Sequence, residues 1–550
     1  MTSTPVSTAY LSGRYPGSIA VIHCIPAPRR LTISGTGSRM KNVLQLHKAD
    51  NVALALSDIL PGDTLTITGQ SGSSLQARDT VAQMHKIALA SLSKGATITK
   101  FGQVIGYASR DIQTGQHVHV HNCVVGDVDK DYGFCRNARP ADILPETQRD
   151  IFQGYRRVNG KTGTRNYIGI LTTVNCSATV ARQIASHFNA DKLKDWPNID
   201  GVVALTHDSG CGMRTGDEGY ETMRRTFEGH LRHPNFGAVL LVGLGCETMQ
   251  FKNVLEESGL ANDSETLYAY SIQDAGGTQA AIERGIALIE SLLPKVNAYS
   301  RVPVPASELI LAVQCGGSDA FSAISANPAL GVAADTLIRN GGSAIYSETP
   351  EIYGAEHLLT QRAITPEVAE KVLERIRWWQ DYTQRNGFNL DNNPSPGNKQ
   401  GGLTTILEKS LGAQSKSGTT ALMDAYLYGE PVTTKGLVFM DSPGFDPVSV
   451  TGQVASGANI VCFTTGRGSA FGYKPVPSIK LSSNSEVYRT MQDDIDINCG
   501  VIVDGEQTLT EVGDTIYKRI LAVASGEKTR SEELGYGDAE FNPWKIGAVL

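Results

Sequence analysis

The feature that most constrains this chain is a change of hydrophobic period at Gly154. Before it, from Met40 to about Val125, short alternating segments such as 63–68 (DTLTIT), 96–108 (ATITKFGQVIGYA) and 117–121 (HVHVH) are cut by glycine turns. A period of two broken by regular turns predicts a small all-β module. After it come apolar runs of strand length, YIGILTTV (167–174), GVVALT (201–206) and FGAVLLVGL (236–244), separated by helix-length segments such as ATVARQIASHF and GYETMRRTFEGHL. Continuous apolar strands alternating with amphipathic helices predict a parallel sheet buried on both faces. The Pro-containing stretch 294–308 interrupts this pattern, which restarts with LILAVQ (309–314), SAIYSE (343–348), GLVFMD (436–441) and NIVCFTT (459–465). The expected organisation is a multidomain α/β chain: an extension over 1–40, a β module over 41–125, a charged linker over 126–153, and α/β domains over 154–300 and 301–550. A length of 550 residues suits several domains.

Composition narrows the class. With 41% apolar and 19% charged residues the chain is not a disordered polymer. Forty-nine basic against 56 acidic residues leave −7, which argues against nucleic acid as a partner but allows a local basic pocket for a small acid. Nine cysteines without a CxxC pair fit neither a disulfide scaffold nor a zinc ribbon. No apolar run approaches the ~20 residues that span a bilayer, so a cytoplasmic protein without a membrane partner is expected. No Asp or Glu precedes Asp50, and Arg14, Arg29, Arg30 and Arg39 sit among Ser, Thr and Pro. That composition reads as a disordered arm, or as a targeting-like segment.

Four expected strands end on polar turns that carry a cysteine: Cys176, Cys211, Cys246 and Cys315, at steps of 35, 35 and 69 residues. Ligands of open parallel sheets bind beyond the carboxyl ends of the strands, so these turns are candidates for a common crevice. The thiols suit nucleophilic chemistry or an iron–sulfur cluster, or simply pack as small apolar residues beside glycine. The same turns carry His207, Asp208, Glu247, Ser318 and Asp319. Further on, 393–403 (NPSPGNKQGGL) concentrates glycine, proline, Asn398 and Lys399, and 464–468 (TTGRG) sets Arg467 between glycines. Arg offers a carboxylate a bidentate fork and Lys a point charge.

The β module holds five of the eleven histidines. His117, His119 and His121 alternate, so on a straight strand the outer two stand roughly 13 Å apart at ~3.3 Å per residue. That expectation limits metal ligation to an adjacent pair and favours an exposed polar face. His47 and His85 each enter a turn, and their meeting in space would give a metal site. A P-loop is missed by one residue at 154–162, GLGCET lacks the third glycine of a dinucleotide fingerprint, and HExxH is absent.

The ordered series HKADNVALAL, HKIAL, GTRNYIGI, the HxxGC of His207–Cys211, GLGCE, QCGGSDAFS with ANPALG, NPSPGNKxGGL, KSG and FTTGRG resembles the altronate/galactarate dehydratase family over about residues 42–550. The resemblance implies a SAF-type β-clip module followed by two Rossmann- or flavodoxin-like domains. It also implies elimination of water from a hexaric or hexonic acid, with a divalent metal, Fe²⁺ or alternatively Mn²⁺. GYASRDIQTGQHVHVHN and SETPEIYGAEHLL look closer to the altronate branch, whose product is 2-dehydro-3-deoxygluconate. QCGGSDAF, the span from GLVFMDSPGF through TTGRGSAFG, and DINCGVIVDGEQTLTEVG look closer to the galactarate branch, whose product is 5-dehydro-4-deoxyglucarate. Ser209 departs from the aromatic residue that many relatives carry before the Gly-Cys.

Motif membership and the chemistry then suggest roles. His47 and His85 are expected to hold the metal, and His207 and Lys399 to move protons. Arg467 joins Lys399 on the substrate carboxylate, and Ser318, Asp319 and Asn398 orient hydroxyls. Galactarate is the expected substrate and a homodimer the expected assembly. The alternatives are altronate, a sulfolactate sulfo-lyase activity, an iron–sulfur dehydratase using Cys176, Cys211, Cys246 or Cys315, and a non-catalytic sugar-acid sensor.

Overall fold

The computed structural model describes residues 41–547 except 71, 128–129 and 263–264; the expected extension over 1–40 lies outside them. The alternating segments of the β module form two sheets. One has six strands in the order Ser74–Gln76, Thr64–Thr68, Lys41–Leu44, Val52–Ala55, Lys86–Ala88, His117–Val118. The other has three: Thr97–Lys100, Gln103–Ala108, Cys123–Val124. Their inward residues, among them Val43, Leu65, Ile87, Ile98 and Ile105, are fully buried, as the period of two requires.

The second domain is an all-parallel sheet in the order Gly201–Leu205, Tyr167–Thr172, Phe236–Gly243, Leu267–Ser271. Every residue of its two central strands is buried, which explains their unbroken apolar sequence. The strand Ile151–Arg156, before this domain, pairs antiparallel with Arg301–Pro305, after it, so that entry and exit of the chain are clamped together. The C-terminal sheet is parallel throughout, in the order Leu422–Tyr426, Gly436–Met440, Ser343–Tyr346, Ile310–Cys315, Ile460–Thr465, Ser478–Ser482, Ile497–Asn498. From its first strand, Ile310–Cys315, the chain adds strands on one side and then returns to add Ile460–Thr465 on the other. The topological switch point, where a crevice opens, therefore lies beyond Cys315 and Thr465. Among the described residues no helix is long and apolar enough to cross a membrane.

The four cysteine turns belong to two sheets, not one. Cys176, Cys211 and Cys246 follow strands of the second domain, and Cys315 ends the first strand of the C-terminal sheet. Equal spacing along the chain reflects equal βα units, and says nothing about which sheet a unit joins.

Candidate active site at a domain junction

The switch point gathers three of the glycine-rich segments. Ser318 and Asp319 lie on the turn after Ile310–Cys315, and Arg467 on the turn after Ile460–Thr465. Asp319 is buried and accepts hydrogen bonds from Ser322 N (2.7 Å), Ser322 Oγ (2.8 Å), Ser483 Oγ (2.8 Å) and Asn484 Nδ2 (3.0 Å). It is thus a strut between strand-end turns. The third segment folds as the short helix Pro396–Gln400, closed by a capping box in which Asn398 Oδ1 accepts from Ser395 N and Oγ. Asn398 Nδ2 donates to the Ser318 carbonyl at 2.8 Å, so this amide fastens the loop over the crevice. Lys399 is half-buried and Arg467 exposed, and among the described residues neither enters an ion pair. Arg467 Nη2 donates to Gln400 Oε1 at 2.9 Å.

Gln400 is also the contact to the β module, because its carbonyl accepts from His85 Nε2 at 3.1 Å. That bond fixes the tautomer and leaves Nδ1 unprotonated, within hydrogen-bond distance of His117 Nε2 at 3.0 Å. The His119 ring stands 4.4 Å from that of His85, and ligating atoms of all three rings lie within 4.8 Å of one another. Burial, reinforced by neighbouring histidines and Lys86, depresses His117 to about 4 and His119 to about 3. All three rings are therefore neutral at pH 7, the form that ligates. His119 Nδ1 is buried and has no hydrogen-bond partner among the described residues. An orphaned ring nitrogen among neutral histidines, one of them oriented by a carbonyl, fits a divalent cation.

The straight-strand expectation fails here. The strand His117–Val118 is only two residues long, and a turn follows in which the His119 carbonyl accepts from Asn122 N and Cys123 N. The chain doubles back, and the rings of His117 and His121 stand 5.1 Å apart instead of being separated along a strand. His47 is placed differently from His85: its Nδ1 accepts from Ala49 N at 3.2 Å, and its ring packs beside Gly102. It does not join the three-histidine group.

The junction is locked by charge. Glu408 receives Lys86 Nζ and Lys100 Nζ at 2.8 Å each, and all three side chains are at most 2% exposed. Burial alone would raise the Glu408 carboxyl, but Lys100 and Lys86 outweigh it and hold it well below the usual range. Lys86 also donates to the Gly402 carbonyl at 2.6 Å. Gly402 has φ +93°, and a Cβ there would stand 2.2 Å from the Met84 carbonyl oxygen. Only glycine permits this approach.

Below the crevice lies a second polar group. Lys416 Nζ donates to Cys315 Sγ at 2.9 Å and Glu348 Oε2 at 2.8 Å, while Lys409 Nζ donates to Glu351 Oε1 at 2.6 Å and Asn393 Oδ1 at 2.8 Å. Cys315, Glu348 and Glu351 are spaced to hold a cation, but the two ammonium groups already supply the positive charge. Burial pushes the Cys315 thiol up to about 12, so it is neither a thiolate nucleophile nor a thiolate ligand at pH 7.

His207 has another task. Its Nε2 bonds the Thr172 carbonyl at 2.8 Å, its Nδ1 accepts from Ser209 N at 3.2 Å, and burial depresses it to about 4. Both ring nitrogens are occupied by the strand-end turn, which leaves none for proton transfer to a substrate. Cys176, Cys211 and Cys246 are exposed on neighbouring turns of the second domain. The groups that reading the sequence missed are His117 and His119 as partners of His85, Glu408, and the Glu348–Glu351–Lys409–Lys416 network. The KSG motif signalled Lys416; the rest depended on contacts between distant segments.

Three family models match in chain order: the altronate/galactarate dehydratase SAF domain over 41–126, the second domain of D-galactarate dehydratase/altronate hydrolase over 154–297, and the D-galactarate/altronate dehydratase C-terminal domain over 306–549. The chain is 36% identical to an altronate dehydratase of Bacillus subtilis across 93% of this chain and 100% of that one. It is 37% identical to a galactarate dehydratase (L-threo-forming) of Escherichia coli across 91% and 96% of the two chains. Identity to an altronate dehydratase of Escherichia coli is also 37%, across 92% and 99%. The chain therefore belongs to the galactarate/altronate dehydratase family and is a carbon–oxygen hydro-lyase of sugar acids.

Proposed function

We propose that the chain dehydrates galactarate to 5-dehydro-4-deoxyglucarate with a divalent cation, Fe²⁺ or Mn²⁺, at His85, His117 and His119. The observation that carries this reading is the pair of cations that have no carboxylate partner among the described residues, Lys399 and Arg467, joined through Gln400 to a neutral histidine group. A hexaric dianion has a carboxylate at each end and uses both a metal-side and an arginine-side contact. A hexonic acid has one carboxylate and leaves a cation unanswered.

A bound divalent ion supplies Lewis-acid stabilisation of the enediolate that forms when the α-proton leaves. The chain's own residues do the rest. Arg467 grips a carboxylate through its planar fork, with Gln400 fixing the guanidinium. Lys399 protonates the departing β-hydroxyl. Ser318 meets a substrate hydroxyl, while Asp319 and Asn398 hold the turns that present it. The His207 role suggested by the motif passes to the crevice.

The test is a 2-keto-acid assay comparing galactarate, altronate and sulfolactate with Fe²⁺, Mn²⁺ or chelator. Turnover of galactarate that chelator abolishes is expected, with Arg467→Ala raising KM for galactarate at least tenfold more than for altronate. Preference for altronate, unaltered by Arg467→Ala, would overturn the substrate assignment.

A further inference from the structure

Asp446 opens the helix Asp446–Ala455, and its carboxylate lies against the turn that follows Ile310–Cys315. A Cβ added at Gly316 would stand 2.3 Å from Asp446 Oδ2, so the glycine is what admits the carboxylate to the crevice wall. The charged groups around it come from three directions: Glu348 and Glu351 after the strand Ser343–Tyr346, Lys409 from the helix Ile406–Gln414, and Lys416 from the turn Ser415–Ser417. Three carboxyls thus compete for two ammonium ions. The lysines are already committed, Lys416 to Glu348 and Lys409 to Glu351, and among the described residues Asp446 enters no ion pair. Glu348 is 1% exposed, and among the described residues its Oε1 has no partner. An ionised oxygen left so would be very costly, so the network holds a proton. The same loop that carries Lys399 reaches this network at its other end, where Asn393 Nδ2 donates to Glu351 Oε1 at 2.9 Å.

We propose that Asp446 is the base that takes the α-proton of the sugar acid, set beside the charged Glu348–Lys416–Glu351–Lys409 network. The assignment rests on dehydration of a sugar acid in this crevice. Burial, followed by the Glu351 charge, raises the Asp446 carboxyl to about 7 against the pull of Lys409 and Lys416, where a base at neutral pH works well. The α C–H bond breaks, its proton goes to an Asp446 carboxylate oxygen, and its electron pair enters the enediolate. That pair then forms the C=C bond as the β C–O bond breaks, and the hydroxyl departs as water with a proton from Lys399. The enol loses its hydroxyl proton to solvent and gains one at the β-carbon. Asp446 returns its proton to solvent and Lys399 regains one, so the sum is loss of one water.

The test uses the full chain loaded with Mn²⁺. Asp446→Asn should lower kcat by roughly 10²–10⁴-fold with melting temperature and Mn²⁺ affinity near those of the wild type. The wild-type kcat/KM should fall on the acid side of an apparent pKa near 7. Asp446→Glu should keep that limb at a reduced rate, and the residual activity of Asp446→Asn should lack it. An Asp446→Asn enzyme with more than a tenth of wild-type kcat, or a wild-type profile flat down to about pH 5, would overturn the assignment; the second measurement needs no variant to fold. A wild-type enzyme inactive on every sugar acid overturns the substrate reading instead.

Discussion

Replacing Glu408 by Gln keeps the shape of the side chain and an acceptor for Thr404 N and Oγ1, but removes the charge shared by Lys86 and Lys100. Two ammonium groups, 0% and 2% exposed, are then left without a counter-charge. Breaking a buried pair in this way costs about 3–5 kcal/mol. A chain of several domains does not melt as one unit, so the loss appears in the transition of the β module and its junction. For a module of that size each kcal/mol shifts a midpoint by about 4–8 °C, so the lowest calorimetric transition should fall by roughly 12 °C or more. The sign with pH follows from the depressed Glu408 carboxyl. Its contribution is complete above the unfolded value of about 4.3 and is lost as pH falls through the lower folded value. The gap between wild type and variant is therefore full at pH 6–8 and closes only in strong acid. Because Lys86 adjoins His85, and Gln400 on the same loop orients the His85 ring, Mn²⁺ affinity by titration calorimetry should also weaken by about 10–100-fold. A transition within about 4 °C of wild type together with unchanged Mn²⁺ affinity would refute the lock. Its electrostatic origin has a separate check: replacing Lys86, Lys100 and Glu408 together by Met, Met and Leu should recover most of the lost stability.

His117→Ala and His119→Ala should each abolish Mn²⁺ binding measured by titration calorimetry, whereas His47→Ala should leave it near wild type; loss in His47→Ala would restore His47 as a ligand. Acid should weaken the second domain's contact with the C-terminal domain well above the carboxylate range. His207, His230 and His233 are buried and depressed to about 4, 4 and 3, while unfolded histidine titrates near 6.5. These folded values lie below the unfolded one, so the stability they carry is present above about pH 6.5 and lost as pH falls toward 4. At three protons the slope reaches about 4 kcal/mol per pH unit near pH 5. Urea unfolding followed between pH 7 and 5 checks this, and stability flat across that interval would contradict the buried neutral state. His230 Nε2 meets Tyr473 Oη at 2.9 Å and His233 Nε2 the Ala458 carbonyl at 2.9 Å, so Tyr473→Phe should remove part of the stability without changing kcat.

How much of this was readable in the sequence depended on whether the signal was local. The switch from period two to buried apolar runs is written into consecutive residues, because a parallel strand covered on both faces has no polar side to show. The strands Tyr167–Thr172, Phe236–Gly243, Ile310–Cys315 and Ile460–Thr465 followed from it. The loops 316–319 and 466–468 met at one crevice because glycine and charge after a strand mark its carboxyl end, whereas 393–400 follows a helix and reaches them through Asn398. The shorter or more polar strands Ser74–Gln76, Leu422–Tyr426 and Ser478–Ser482 carried no such run.

The histidine group failed to show itself for a definite reason. Spacing along a strand predicts separation only while the strand continues, and here it stops after Val118, where Asn122 turns the chain back by donating its side-chain amide to the His117 carbonyl at 2.9 Å. His85 reaches the same place through antiparallel pairing of Lys86 with Val118, and the carbonyl that orients it comes from Gln400, 315 positions along the chain. Nothing in the spacing of HVHVH encodes that meeting. What encodes it is the fit of the β module against the C-terminal domain: Gly402 admits the Met84 carbonyl, and Glu408 charges the seam for Lys86 and Lys100. The crevice residues and the histidines therefore lie in separate domains, and the single site proposed for them depends on this interface. A substitution at the seam should consequently lower metal affinity and turnover together, although it touches neither metal ligand nor substrate.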